Sequence, residues 1–134
     1  MPSTLKQQLS SILDCIRLKN NTVLIIGKAR TSTYNWAKEY FINSSILKTN
    51  LATRESRSLD VIIDKGTGNN KKIFDELWIR VKSNGYYVIK NWSKANNQST
   101  MNLVGHIVSK KKQYGIKEMF VIDERYSLAV FKKL

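Results

Sequence analysis

Residues 59–90 decide the fold. They open with Leu59-Asp60-Val61-Ile62-Ile63-Asp64 and close with Val81-Lys82-Ser83-Asn84-Gly85-Tyr86-Tyr87-Val88-Ile89-Lys90. The opening run is short and continuously apolar in Val61, Ile62 and Ile63, as in a strand buried on both faces. Gly66 to Asn70 reads as a turn. Ile73, Phe74, Leu77, Trp78 and Val81 then recur at helical spacing. Asn84-Gly85 is a turn signal, and Tyr86 to Lys90 reads as the next strand. Strand, helix and strand in this order imply two parallel strands with the helix lying across them.

Outward from this unit the same alternation continues. Thr22 to Ile26 is a second buried strand, closed by Gly27. It is preceded by an amphipathic helix over Thr4 to Leu18, with Leu5, Leu9, Ile12, Leu13 and Ile16 on one face and a Thr4/Gln7 capping box. A helix over Ser32 to Ile42 follows, striped by Trp36, Tyr40 and Phe41. Ser45 to Leu51 is a short strand, and Ala52 to Ser58 is a polar loop. Downstream, Ser99 to Gln113 reads as a helix carrying Leu103, Val104, Ile107 and Val108. Lys110, Lys111 and Lys112 fall in its last turn, where cations suit the negative helix end, and Gly115 stops it. Glu118 to Ile122 and Leu128 to Lys132 flank Asp123 to Tyr126 as a hairpin. The expectation is one α/β domain over residues 1–134: a mostly parallel sheet with helices on both faces and a C-terminal antiparallel hairpin. In such sheets ligands bind at the carboxyl ends of the strands, which here carry Gly27 to Thr31, Asp64 to Gly68 and Lys90 to Trp92.

Composition bounds the function. The net charge of +13 on 134 residues makes a strong positive field, suited to nucleic acid first, then to an anionic membrane or an acidic protein. No apolar run reaches the ~18 residues of a membrane span, and no secretory leader pattern opens the chain. One cysteine, Cys15, excludes an internal disulfide and a cysteine zinc cage; it reads as a partly buried small hydrophobe. These features place the chain in a reducing, intracellular, cytoplasmic setting, an infected host cell included. Its richness in Asn, Lys and Ile fits an AT-rich genome such as a virus's. His106, the lone histidine, lacks neighbouring ligands and reads as structural rather than metal-binding. Trp36 and Trp78 read as core. Trp92, after Lys90-Asn91 at a strand end, and the Tyr86-Tyr87 pair are placed either to pack or to stack on a base. No nucleophile elbow or phosphate-binding lysine loop is present.

The order of elements resembles a class I S-adenosylmethionine (SAM) methyltransferase, with its Rossmann-like sheet. Val23-Leu24-Ile25-Ile26-Gly27 is similar to the family's first strand and glycine turn. Trp36 to Phe41 resembles the following helix in the macrocin O-methyltransferase and cephalosporin hydroxylase group. Asp60 to Thr67 resembles the fourth-strand motif, and Leu77 to Ile89 the helix, turn and fifth strand. The resemblance implies SAM as cofactor, held by Gly27, Lys28, Ala29, Arg30 and Asn50. A further resemblance, to RNA 2′-O-methyltransferases and their Lys-Asp-Lys-Glu tetrad, implies catalytic roles for Lys6, Asp64, Lys90 and Glu118. In such a tetrad one lysine deprotonates the ribose hydroxyl while its neighbours set that lysine's pKa.

Departures from the family cut against activity. Gly27 is followed by Lys28, Ala29, Arg30 and Thr31, where the family uses several glycines. Thr49 and Asn50 stand where an acidic residue would hold the cofactor ribose. A third strand and its helices are missing between Leu51 and Leu59. Lys65, Lys90 and Asn91 occupy the metal-ligand positions of the macrocin-like group and cannot build a Mg²⁺ site. A cleft lined by Lys28, Arg30, Lys65 and Lys90 repels a sulfonium and attracts phosphate. Three readings follow. The preferred one is a degenerate methyltransferase-like domain that binds nucleic acid, RNA before DNA, through Lys28, Arg30, Lys65, Lys90 and Trp92, or acts as a scaffold. The others are an active small methyltransferase, most plausibly on RNA ribose, and an interaction module for acidic proteins.

Overall fold

The computed structural model describes residues 10–26, 31–49, 58–64, 71–90, 98–122 and 128–134. Six strands form one sheet: β1 Thr22–Ile26, β2 Ser45–Thr49, β3 Leu59–Asp64, β4 Val81–Lys90, β5 Ile116–Ile122 and β6 Leu128–Lys133. Their spatial order is β2-β1-β3-β4-β6-β5. β2, β1, β3 and β4 run parallel; β6 pairs antiparallel with β4 and with β5. The expected sheet and terminal hairpin are therefore both present. Among the described residues no strand lies between β2 and β3 in sequence.

The helices are α1 Thr31–Tyr40, α2 Lys71–Trp78, α3 Gln98–Ser109 and the single turn α4 Lys111–Tyr114. A helical turn over 10–13 runs into a 3-10 turn, Asp14–Ile16, ahead of β1. The N-terminal part of the expected first helix, with its Thr4/Gln7 capping box, lies outside the described residues.

Alternation along each strand sends side chains to two cores, one on each face. Leu24, Ile26, Ile62, Tyr87, Ile89 and Phe131 meet Phe74, Leu77 and Trp78 of α2 and Leu103, Val104 and Ile107 of α3. Val23, Ile25, Val61, Ile63, Val88 and Val130 meet Leu13, Ala37, Tyr40 and Phe41 on the other side. A sheet covered on both faces needs strands that are apolar at every position, which is why β1 and β3 read as continuous runs.

Five local expectations are corrected. Val81 opens β4 rather than ending the helix stripe. Residues 82–85 bulge against Asp60, since Leu59 pairs with Val81 and Val61 with Tyr86. Asn84 has φ 66°, and a Cβ on Gly85 would come within 2.9 Å of the Asp60 and Lys82 carbonyl oxygens, so the Asn-Gly turn is real but sits inside the strand. The single helix expected over 99–113 breaks at Lys110. Gly115, at φ 68°, ends α4 in the left-handed conformation as expected. Cys15 is exposed, with its sulfur 3.6 Å from the Tyr86 hydroxyl, rather than partly buried. Trp78 is core, while Trp36 is half-buried and stacked on Tyr40.

Candidate ligand cleft

The carboxyl ends of β1, β3 and β4 lie level, because Ile26 registers with Asp64 and Asp64 with Ile89. That register fixes what each terminal side chain faces. Ile26 and Ile89 both belong to the core under α2 and α3, so Asp64 points to that face. It is fully buried. Its charge is felt by Tyr87, whose phenol is pushed well above its ordinary value by burial first and by Asp64 second.

Two further polar groups are buried on this face. Among the described residues, the Tyr87 hydroxyl and the Thr100 Oγ1 have no hydrogen-bond partner. Thr100 lies in the first turn of α3, which follows β4 and so starts at the same end of the sheet. Tyr87 stands out in the sequence for its ring, not its hydroxyl, and Thr100 does not stand out at all. A polar residue in a helix opening reads as solvent-facing, and only the apolar stripe three residues on marks Thr100 as inward.

Lys90 takes the opposite face, one residue beyond Ile89. It is half-buried, and its Nζ donates to Thr33 Oγ1 of α1 at 3.1 Å. Thr33, itself buried, is a partner that sequence spacing does not reveal. Glu118 is exposed on β5, in register with Lys132, which registers with Tyr86. It therefore lies four residues below the level of Lys90, about 13 Å at ~3.3 Å per residue. Asp64 and Lys90 share an end but not a face, and Glu118 joins neither. Lys6, Gly27, Lys28, Ala29, Arg30, Asn50, Lys65 and Trp92 lie outside the described residues. Tyr86 and Tyr87 are buried and present no ring for a base to stack on.

The residues that the family resemblance implies for SAM, Gly27, Lys28, Ala29, Arg30 and Asn50, all lie outside the described residues. The buried carboxylate, Asp64, ends β3; β2, whose end should carry the ribose-holding acid, ends in Thr49. No group of three or more His, Cys, Asp or Glu able to hold a metal occurs among the described residues. His106 is structural: its Nε2 lies 3.0 Å from the Tyr114 hydroxyl, which donates to Asp75 Oδ1 at 3.0 Å and so ties α3 to α2.

A parallel sheet ending in an antiparallel pair, with helices on both faces, is the Rossmann-like fold of class I SAM-dependent methyltransferases. Solved structures bear this out. MycE methyltransferase from the mycinamycin biosynthetic pathway, in complex with Mg and SAH, matches with a TM-score of 0.74 at 18% identity, over 94% of this chain and 48% of its own. The precorrin-6y C5,15-methyltransferase of Geobacter metallireducens matches with 0.67 at 15%, over 98% and 90%. The Methanococcus jannaschii fibrillarin pre-rRNA processing protein matches with 0.57 at 12%, over 87% and 67%. The chain thus spans about half the length of MycE. No protein-family model and no curated protein sequence matches it.

Proposed function

We propose that this chain is a methyltransferase-like domain that binds nucleic acid, RNA before DNA, or scaffolds an assembly, without transferring methyl groups. The observation that carries this reading is the strand register: it separates Asp64, Lys90 and Glu118, which a ribose methyltransferase would need together. The net charge of +13 supports an anionic partner, and the likeness to a pre-rRNA processing protein favours RNA. SAM is the cofactor if the chain is active, since MycE binds its product form, SAH. One observation favours that second reading: Asp64 is a fully buried carboxylate at the end of β3, beside the family's cofactor cleft.

Isothermal titration calorimetry with SAM and SAH, paired with anisotropy of a labelled single-stranded RNA, separates the two. The expected result is no heat with millimolar cofactor, and RNA binding that weakens steeply with salt. Micromolar SAM affinity with methyl transfer to RNA overturns the proposal. Absence of RNA binding alone leaves the interaction module for acidic proteins.

A further inference from the structure

The end of the sheet away from the ligand cleft has its own character. Here β1, β3, β4 and β5 begin and β6 ends, so the topology gathers the turns before β1, β2 and β4 together with α4. Exposed cations crowd this floor: Lys19 before β1, Lys82 in the β4 bulge, Lys110 just ahead of α4, Lys112 within it, and Lys117 at the start of β5. Half-buried Lys132 and Lys133 close β6. Acids reach the same end too, with Glu76 near the end of α2 and Asp14 beside Tyr40 among them. Asp60 accepts from the Thr22 N–H at 2.7 Å and lies 3.5 Å from Lys82 Nζ. Glu118 sits in register beside Lys132, and Glu39 is near the end of α1. The cations outnumber them.

The floor also carries well-exposed large apolar side chains: Leu134, 70% exposed just after β6, and three in turns. Leu18 is 64% exposed, Ile42 59% and Ile79 75%. Each occupies the turn ahead of a strand: β1, β2 and β4 respectively. Leu18 and Ile42 are neighbours, since Asn43 Nδ2 donates to the Leu18 carbonyl at 2.9 Å. Ile79 lies on the β4 side, so apolar tips and lysines alternate across the sheet. The floor aromatics Phe41 and Trp78 are buried, and the Tyr114 ring of α4 is half-buried, packed edge-on against Phe74 and His106.

We propose that the floor docks on an anionic lipid surface, with Leu18, Ile42 and Ile79 entering the headgroup boundary and the lysines meeting lipid phosphate and carboxylate. Phosphate binding alone accounts for the lysines but leaves three exposed aliphatic tips without a role; a lipid interface uses both. Peripheral docking of this kind needs no spanning helix, and no helix of the described residues is long and apolar enough to be one.

The test is co-sedimentation with phosphatidylcholine vesicles, with and without phosphatidylserine. The full chain is compared with the double variants Leu18→Ser/Ile79→Ser and Lys110→Glu/Lys112→Glu, each checked for fold by circular dichroism. All four positions are exposed, so the fold is expected to survive. Binding should require phosphatidylserine and fall with salt. The serine variant should bind roughly tenfold more weakly, and the charge-reversed variant should not sediment. Failure to bind phosphatidylserine vesicles overturns the proposal, as does a serine variant that binds in full. RNA binding abolished by Lys110→Glu/Lys112→Glu, with vesicles ignored, assigns the floor to nucleic acid instead. Neither vesicle result bears on SAM binding or on whether RNA binds elsewhere.

Discussion

Tyr87 shows how a residue can be placed by packing at the expense of its polar atom. Its ring fills the core against Phe74, with centroids 4.8 Å apart in an edge arrangement. Its hydroxyl is buried without a hydrogen-bond partner among the described residues. A donor left unmade inside a core costs more than an ordinary hydrogen bond contributes. Tyr87→Phe keeps the ring and removes the stranded hydroxyl. It should be neutral or stabilising, by up to about 1 kcal/mol in urea denaturation. A clear destabilisation would mean that the hydroxyl has a partner in solution. This residue also marks the limit of sequence reading at the site. Asp64 and Lys90 were legible as strand ends, because apolar runs fix where β3 and β4 stop. Their opposite faces were not, because that depends on register, and a shift of one residue exchanges the two faces. The distance of Glu118 was hidden for the same reason: a hairpin's partners follow from the loop, and residues 123–127 carry no decisive turn pair.

At the scale of elements, the strands were the easier part. β1 and β3 match their expected bounds because two-sided burial demands an unbroken apolar run. The helices were harder at their ends. Val81 fits the α2 stripe by spacing yet starts β4, because Leu59 captures it as a strand partner. The docking of the segment 10–16 on α1 depends on contacts no pattern encodes. Tyr40 donates to the Ser10 carbonyl at 2.9 Å, lies 3.4 Å from Asp14 Oδ1, and its own carbonyl accepts from Arg17 Nε at 3.3 Å. Burial, with Asp14 adding to it, pushes the Tyr40 phenol up to about 12. The folded state therefore favours the neutral phenol. Its contribution to stability is complete below the ordinary tyrosine value of ~10 and is lost as pH rises through about 12. Stability measured across that window should fall, and Tyr40→Phe should flatten the fall. An unchanged slope in the variant would show that Tyr40 does not couple to folding.

Over the whole molecule, fold and charge follow separate logics. The sheet with two cores is set by apolar periodicity, and it survives at 18% identity to MycE because many side chains satisfy the same pattern. The net charge of +13 does not help to build it. Gathering lysines on the floor stores like-charge repulsion in the folded chain, which an unfolded chain relaxes by spreading apart. The Debye length shrinks from ~30 Å at 0.01 M salt to ~8 Å at 0.15 M, from more than the width of the sheet to well below it. Tm should therefore rise by a few degrees over that range as floor repulsion is screened. Lys111→Glu should raise Tm at 0.01 M salt and lose most of that advantage at 0.15 M, since its benefit is the removal of repulsion rather than a new short contact. A Tm independent of salt would mean that the floor charges are balanced locally. The basic end of the sheet would then be a solvated surface instead of one kept positive for an anionic partner.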